Sequence, residues 1–268
     1  MAMSPIIQKA KLTTIIEGSS PTLTGHGNQW LFSTRVTDEF AAIAAVRYAV
    51  KDLGKTKIAV FHAAEEFGTS TAPIIVSTAK ELGLTPVAVV SAPSTDKDVS
   101  AQLLQIKNAG ADVILSWVLP APGILLAQQM KQLKMDIPLV GNPVFALSQV
   151  LSLMTPADLK GVSSMTDCVP EQDKDAKVQD FVTRYKARTG VNPDLFGAIS
   201  YDSVKVLAQV IGKVGTDPDT VRKALSETKD YPGACNKYTF DDKGRGAWRI
   251  MAVDVSSGAP KILGSVSK

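Results

Sequence analysis

Short apolar runs recur at nearly constant spacing through the middle of the chain. They begin 29, 26 and 26 residues apart, at Ile58-Ala59-Val60-Phe61, Val87-Ala88-Val89-Val90, Val113-Ile114-Leu115 and Leu139-Val140. Each run is followed by a pattern of helical period, and this spacing is typical of βαβ units. Continuous apolar strands joined by helices favour a parallel sheet that is covered on both faces. The stretch from about Asp38 to Met165 is therefore predicted to form one complete, doubly wound α/β domain.

One helix of this domain has clear end signals. Val99, Leu103 and Ile106 share one helical face, and Gly110 stands where a C-terminal glycine is expected. Thr95, with Asp98 three residues later, predicts a capping box at its start.

The pattern changes to longer helices after Met165. Two apolar stripes predict helices that end at Gly190 and Gly212, namely Val178/Phe181/Val182/Tyr185 and Val204/Leu207/Ala208/Ile211. A shorter helix is predicted over 219–228. The strands Tyr238-Thr239-Phe240 and 248–253 flank a turn at 241–244. This group is predicted to have too few strands for all of its helices to pack against.

The pattern of the N-terminal residues predicts that the chain begins inside a helix. Residues 1–10 resemble the tail of a helix and run directly into the apolar strand Leu12-Thr13-Thr14-Ile15-Ile16. We therefore expect the chain to start partway through a strand and helix alternation. The strands missing from the C-terminal group would precede Met1.

Composition and charge narrow the class of protein. The 268 residues are 45% hydrophobic and 21% charged, which is enough apolar material for a sizeable core. The 29 basic and 26 acidic residues give a net charge of +3, spread along the chain, so neither a nucleic-acid nor a membrane surface is predicted as a partner. No apolar run reaches the length of a membrane-spanning helix, and the N-terminus lacks the pattern of a signal peptide.

Cys168 and Cys235 are the only cysteines. Two cysteines this far apart predict neither a metal cluster nor a redox motif. The sequence leaves open whether they form a disulfide or are small buried thiols.

Signals of catalysis are missing. The chain has no G-x-x-x-x-G-K-[ST] loop and no G-x-S-x-G elbow, and Gly25-His26-Gly27 is too short for a dinucleotide fingerprint. His26 and His62, the only histidines, are more simply explained as surface or packing residues than as metal ligands. We expect a protein that is not an enzyme and that needs neither a metal nor a cofactor.

An ordered series of motifs resembles the periplasmic substrate-binding proteins of branched-chain amino acid ABC transporters. The series covers essentially the whole chain. In order, it is Glu17-Gly18-Ser19-Ser20-Pro21, Gly25-His26-Gly27, Trp30-Leu31-Phe32-Ser33-Thr34-Arg35, Lys57-Ile58-Ala59-Val60, Glu66-Phe67-Gly68, Gly161-Val162, Ala198-Ile199-Ser200-Tyr201-Asp202 and Phe240-Asp241-Asp242-Lys243-Gly244.

This resemblance implies a two-lobed type I periplasmic-binding-protein fold with parallel doubly wound sheets. It places 1–35 and 166–246 in a first, partial lobe and 36–165 and 247–268 in a second, complete lobe. Three crossing strands would join the lobes, which close over a ligand in the cleft. The first lobe would lack about a hundred residues, a domain-sized fraction, including a loop that contacts the ligand in the family.

The resemblance also implies a function, partners and a location. It implies the solute-binding component of an ABC importer, located in the periplasm, with a membrane permease as its partner. Two alternatives stay open: a truncated receptor that no longer binds a ligand, and the sensor lobe of a regulator. Self-association through the incomplete first lobe is a further possible interaction. A sensor of transcription would be expected to carry a helix-turn-helix module and a basic stripe, and the sequence shows neither.

Candidate ligand contacts follow from strand ends, because open parallel sheets bind ligands beyond the carboxyl ends of their strands. The backbone and hydroxyls of Gly18, Ser19 and Ser20 are candidates to hold a carboxylate. Phe67, Trp117, Val118 and Phe145 are candidate walls for an apolar side chain or ring. The alternatives are a simple turn at Ser19-Ser20-Pro21 and core packing for the aromatic residues. Glu65 and Glu66 are explained better as acids at a helix start than as ligand contacts.

The ligand class is left open between two chemistries. Amino-acid-binding members of the family place an acid near the position of Pro143, whereas this chain has Asn142-Pro143-Val144. A carboxylate without an α-amino group, such as an aromatic carboxylate, therefore suits the sequence at least as well as leucine or valine. Glu17 and Glu66 are the alternative partners for an ammonium group.

Overall fold

The computed structural model of the chain describes residues 3–24 and 27–267. Met1 and Ala2 of the predicted N-terminal helix, and Gly25 and His26 of the predicted turn, lie outside these residues. The strands are β1 (Thr14–Ile16), β2 (Leu31–Ser33), β3 (Ile58–Ala63), β4 (Ala88–Ala92), β5 (Val113–Trp117), β6 (Leu139–Gly141), β7 (Val162–Thr166), β8 (Tyr231–Pro232), β9 (Lys237–Tyr238), β10 (Arg249–Asp254) and β11 (Lys261–Ser267). The α-helices are α1 (Ser4–Ala10), α2 (Pro21–Thr24), α3 (Asp38–Arg47), α4 (Glu66–Glu81), α5 (Ser100–Asn108), α6 (Pro120–Gln132), α7 (Ser148–Leu151), α8 (Ala176–Thr189), α9 (Leu195–Val214) and α10 (Pro218–Ser226).

The chain divides into two compact units. One contains the described residues up to Asp38 together with Asp167–Ile250, and the other contains Glu39–Thr166 and Met251–Val266. We call them the α9 unit and the sheet unit. The chain therefore passes between the two units after Asp38, Thr166 and Ile250, and again at Ser267.

The sheet unit is built on seven strands in the order β11-β10-β7-β6-β5-β3-β4. Strands β3 to β7 pair in parallel, and β10 runs antiparallel to β7. All of β5, β6 and β7 and nearly all of β3 are buried, as expected for strands covered on both faces. The predicted α/β class with a mainly parallel sheet is confirmed.

The α9 unit has short sheets and longer helices. Strands β1 and β2 pair in parallel, and β8 and β9 pair antiparallel. Helices α8, α9 and α10 are capped at their N-termini by Asp175, Asp194 and Asp217, whose side chains each accept a hydrogen bond from a backbone N–H of the first turn. The unit also holds a disulfide between Cys168 and Cys235, which decides the question that the sequence left open.

Some sequence predictions of helix boundaries and faces were wrong. Helix α9 does not end at Gly212 but continues to Val214 and ends at Gly215, which has a φ of 79°. Val204, from the predicted apolar stripe, is 68% exposed, whereas Val206 and Val210 are buried. Apolar residues lie on several sides of this helix, so periodicity alone selected the wrong face.

The predicted capping box of α5 was also wrong. The helix begins at Ser100, and the Oδ1 of Asp98 accepts hydrogen bonds from the N–H and the hydroxyl of Ser100. Asp98 therefore turns the chain immediately before the helix, and the N-cap residue is Val99, whose side chain has no group that could cap the helix.

Within 3–24 and 27–267, no helix combines the length and apolar character needed to cross a bilayer. In the same part of the chain, no three His, Cys, Asp or Glu side chains are grouped in a way that could hold a metal ion.

Candidate functional site

The Gly18–Ser20 loop lies directly after β1 and ahead of α2 in the α9 unit. The hydroxyl of Ser19 donates to Oδ2 of Asp38 at 2.9 Å, and the N–H of Asp38 donates to the carbonyl of Ser19 at 2.8 Å. The hydroxyl of Ser33 donates to the carbonyl of Gly18 at 3.0 Å. The loop is half-buried. It is therefore held at its carbonyl groups and at one hydroxyl.

The loop keeps two backbone donors unused. Among the hydrogen bonds of the described residues, the N–H groups of Ser19 and Ser20 have no acceptor. The hydroxyl of Ser20 exchanges a 2.9 Å hydrogen bond with that of Thr22. Consecutive N–H groups without acceptors at the end of a strand can bind a carboxylate. A turn at Ser19-Ser20-Pro21 is thus compatible with a ligand role, because the N–H groups of Ser19 and Ser20 have no acceptor in the part of the chain that the structure describes.

The apolar candidates lie in the sheet unit and differ in exposure. Phe67 is half-buried in the first turn of α4. Trp117 ends β5, and Trp117, Val118 and Phe145 are each 0% exposed. This burial fits the alternative of core packing for these three, and their contact with a ligand stays a prediction.

Two of these residues pack around the same glycine. A Cβ built on Gly123 would lie 3.2 Å from the ring of Phe145 and 3.4 Å from a methyl group of Val118. A Cβ on Gly141 would lie 2.1 Å from the ring of Phe145. The structure therefore brings Val118 and Phe145 together beside α6, where the two glycines make room for the ring.

Asn142 is held by hydrogen bonds of both its side chain and its backbone. Its side-chain Nδ2 donates to the carbonyl of Val118 at 2.9 Å, and its backbone carbonyl accepts from the hydroxyl of Ser164 at 2.8 Å. Asn142 is 2% exposed. It joins the segments that follow β5 and β6, which is a structural role.

The two glutamates near Phe67 have structural surroundings. Glu66 begins α4, as predicted for an acid at a helix start. The carboxylate of Glu65 accepts from the N–H of Ser94 at 2.7 Å and from its hydroxyl at 2.8 Å. These hydrogen bonds lower the pKa of Glu65 below the ordinary value of a glutamate.

Sequence reasoning missed two buried carboxylates in the α9 unit. Oδ1 of Asp167 accepts from Nε of Arg35 at 3.0 Å and from the N–H of Val36 at 2.9 Å. Burial disfavours the charge on Arg35, but Asp167, together with the nearby Asp38 and Glu17, favours it, and the pKa of Arg35 is raised. The partners are 132 residues apart, so no local pattern could have indicated this pair.

The second missed carboxylate is Asp202 on α9. It accepts from the N–H groups of Ala234 at 2.6 Å and Cys235 at 2.8 Å, and from the hydroxyl of Tyr238 at 2.8 Å. Burial raises the pKa of Asp202, although these donors act in the opposite direction. Burial and the adjacent carboxylate raise the pKa of Tyr238 as well.

Two larger cavities of the α9 unit are lined by other residues. One of about 770 Å³ is bordered by Trp248, Arg249 and the carboxylates of Asp173 and Asp230. Another of about 560 Å³ is bordered by Arg222, whose guanidinium lies 5.5 Å above the ring of Trp30. None of the seven candidate residues lines either cavity.

A family model described as periplasmic binding protein matches residues 1–259. The chain is 25% identical over 228 residues to Leu/Ile/Val-binding protein homolog 3 of Brucella melitensis, an alignment covering 84% of this chain and 61% of the relative. It is 24% identical to Leu/Ile/Val-binding protein BraC3 of Rhizobium johnstonii, again over 84% and 61% of the two chains. The chain thus spans about three fifths of the length of these relatives.

Solved structures show the same fold. A leucine-binding protein, LivK, from Thermotoga maritima superposes with a TM-score of 0.92 at 22% identity, over 99% of this chain and 76% of that one. A solute-binding protein of an R. palustris ABC transporter, in complex with benzoate, gives 0.89 at 16% identity over 100% and 76%. LivJ from Streptococcus pneumoniae, in complex with isoleucine, gives 0.88 at 21% identity over 100% and 75%. The type I periplasmic-binding fold predicted from the sequence is confirmed.

Proposed function

The chain belongs to the periplasmic binding protein family, and from this membership we propose that it captures a small carboxylate-bearing solute for an ABC importer of the branched-chain amino acid type. The role is noncatalytic, as the names of its relatives and structural neighbours support. A membrane permease is the proposed partner.

The proposed location is the periplasm. The family supports it, and so does the disulfide between Cys168 and Cys235, because such bonds persist in oxidising compartments and are rare in the cytosol.

One observation carries the proposal for the ligand: the N–H groups of Ser19 and Ser20 have no acceptor among the described residues and lie at the end of a strand. Two consecutive backbone donors suit the two oxygens of a carboxylate. Phe67 is the most accessible of the proposed apolar contacts. The other three, Trp117, Val118 and Phe145, are fully buried and would contact the ligand only from the core.

The proposed ligand is either an amino acid or a carboxylate that lacks an α-amino group. Asn142 occupies the region where amino-acid-binding members carry an acid, and its amide is already engaged with Val118. This favours a ligand such as an aromatic carboxylate, and a structural neighbour holds benzoate. Other neighbours hold isoleucine or leucine, so branched-chain amino acids are the second class in the proposal.

Calorimetric titration tests the carboxylate directly. Benzoate and L-leucine are compared with benzamide and L-leucinamide, which keep the shape and lose the charge. We expect the Kd of the accepted carboxylate to be at least about tenfold lower than that of its amide, the factor of one net hydrogen bond. Equal binding of acid and amide would contradict carboxylate recognition.

A matched pair of serine variants tests the loop. In Ser19→Ala the loop loses its hydroxyl bond to Asp38, and we expect the Kd to rise about tenfold. Ser226→Ala is the control, because it removes a comparable 2.7 Å bond to the carbonyl of Lys223 in the same unit and should leave the Kd unchanged.

Two alternatives make different predictions. A receptor or sensor lobe that no longer binds would melt cooperatively at a temperature that no solute of either class raises. Self-association would bury apolar side chains that are exposed in the α9 unit, including Met3 at 69%, Ile6 at 67% and Val204 at 68%. Sedimentation across a hundredfold range of concentration would detect it.

A further inference from the structure

The Gly18–Ser20 loop is supported by a short segment that follows β2. Asp38 holds both the carbonyl and the hydroxyl of Ser19, and Ser33 holds the carbonyl of Gly18. Asp38 is 2% exposed and Ser33 is also buried, so these contacts are shielded from water. The position of the loop therefore depends on where residues 33–38 lie.

That segment is fixed in turn by Asp167. One oxygen of this carboxylate accepts from both Nε of Arg35 and the N–H of Val36. Its other oxygen is buried and has no hydrogen-bond partner among the described residues. The guanidinium of Arg35 also lies 5.2 Å from the ring centre of Phe196. Because only one oxygen holds the carboxylate, its placement relies on the backbone of Asp167.

The disulfide holds that backbone. Cys168 directly follows Asp167 and is bonded to Cys235. The N–H of Cys235 is fixed by the carboxylate of Asp202 on α9. The two sulfur-bearing residues are 5% and 1% exposed. A continuous series of contacts thus runs from α9 through the disulfide and Asp167 to the segment that supports the loop.

We propose that the Cys168–Cys235 disulfide is a positioning element, which keeps Asp167 where it orders residues 33–38 and, through them, the Gly18–Ser20 loop. The consequence for ligand affinity rests on the function proposed above. Breaking the bond requires a thiol reductant. Two electrons enter the S–S bond, each sulfur takes up one proton, and a dithiol reductant leaves as its own disulfide.

The loop itself can be followed by amide hydrogen exchange without a ligand. The two reporters are the N–H of Asp38, bonded to Ser19, and the N–H of Val36, bonded to Asp167. In the Cys168→Ser/Cys235→Ser double variant we expect both amides to exchange about tenfold faster or more, as local opening becomes easier. Asp167→Asn, which retains the disulfide, should have the same effect on both reporters.

Asp217→Ala is the control for a general loss of stability. It removes the N-cap of α10 in the same unit but touches none of these contacts. We expect the exchange of the two reporter amides to match that of the wild type in this variant. Unchanged rates in the double variant would overturn the proposal, whatever the result for Asp167→Asn, and so would an equal acceleration in Asp217→Ala.

Ligand affinity provides the second measurement, with benzoate and L-leucine as probes. We expect the Kd of whichever binds to rise about tenfold in the double variant, the factor of one net hydrogen bond, and not in Asp217→Ala. An unchanged Kd in the double variant would overturn the link to affinity. If the oxidised wild type binds neither probe, the proposed function fails for these solutes, and the amide rates alone decide whether the disulfide positions the loop.

Discussion

Asp202 shows how a single buried residue determines local structure in the α9 unit. Its carboxylate accepts from Ala234, Cys235 and Tyr238, and it is 1% exposed. In Asp202→Asn one acceptor becomes an NH₂ group that faces donors. We expect the free energy of unfolding to fall by about 2 to 4 kcal/mol, the cost of breaking a buried hydrogen-bonded network. Urea unfolding at neutral pH measures this loss.

The pH dependence of the same variant follows from the raised pKa of Asp202. Between the unfolded value of about 3.9 and the higher folded value, the native state binds the proton more tightly than the unfolded state does. The stabilisation that comes from the raised pKa of Asp202 is therefore fully present below about pH 3.9 and decreases as the pH rises through that window. It adds to the effect of the hydrogen bonds that Asp202→Asn breaks. We expect the wild type to lose stability relative to Asp202→Asn over this range. If the difference in unfolding free energy between the wild type and Asp202→Asn increased with pH, a raised pKa of Asp202 would be contradicted.

Helix α9 allows a prediction from its two C-terminal glycines. Gly212 lies inside the helix, whereas Gly215 ends it with a φ of 79°. A Cβ at either position would meet nothing within 4 Å. Gly212→Ala should stabilise the protein by about 0.5 to 1 kcal/mol, because glycine is a poor helix former. Gly215→Ala should destabilise it by about 1 kcal/mol, because alanine is strained at that φ.

This glycine pair is its own control, since the same substitution is expected to shift the melting temperature in opposite directions. Thermal unfolding followed by circular dichroism is sufficient. If Gly215→Ala stabilised the protein and Gly212→Ala destabilised it, the helix would end at Gly212, as periodicity alone predicted.

Gly68 determines how helix α4 packs against strand β3. A Cβ at this position would lie 2.1 Å from the carbonyl oxygen of Ala63, a backbone atom that cannot rotate away. Gly68→Ala must therefore displace the helix, and we expect a loss of about 1 to 3 kcal/mol, as for overpacking. Gly212→Ala again serves as the control. A melting temperature equal to that of the wild type would show that α4 approaches β3 less closely.

At the scale of secondary-structure elements, the strands could be predicted because the apolar run that marks each strand is local in sequence. The runs that start at Ile58 and Val113 are apolar without interruption, and both are central strands of the sheet. The inward face of α9 was not predictable, because Val204 and Val206 are equally apolar and only packing distinguishes them. The Gly18–Ser20 loop could be proposed as a candidate because it follows a strand, and its role stays a prediction. Asp167 and Asp202 could not, because their partners are distant in sequence.

At the scale of the whole molecule, each unit is assembled from separate stretches of chain. Strand β10 begins with residues of the α9 unit and continues into the sheet unit, where it pairs with β7. The covalent cross-link, in contrast, lies entirely within the α9 unit and closes a loop with a sequence separation of 67. Its effect on the unfolded chain is therefore confined to one unit.

This difference predicts an uneven response to loss of the disulfide. Cross-linking over such a loop stabilises a fold by about 2 to 5 kcal/mol. We expect the Cys168→Ser/Cys235→Ser variant to unfold its α9 unit at a lower temperature, while amides in β3 and β5 keep the protection of the wild type at temperatures below the main transition. Calorimetry combined with hydrogen exchange would show an early transition that is absent from the oxidised wild type. Dithiothreitol should shift the wild type towards the variant and leave the variant unchanged. If β3 and β5 lost protection in parallel with α9, the two units would unfold as one cooperative body, and the cross-link would stabilise both.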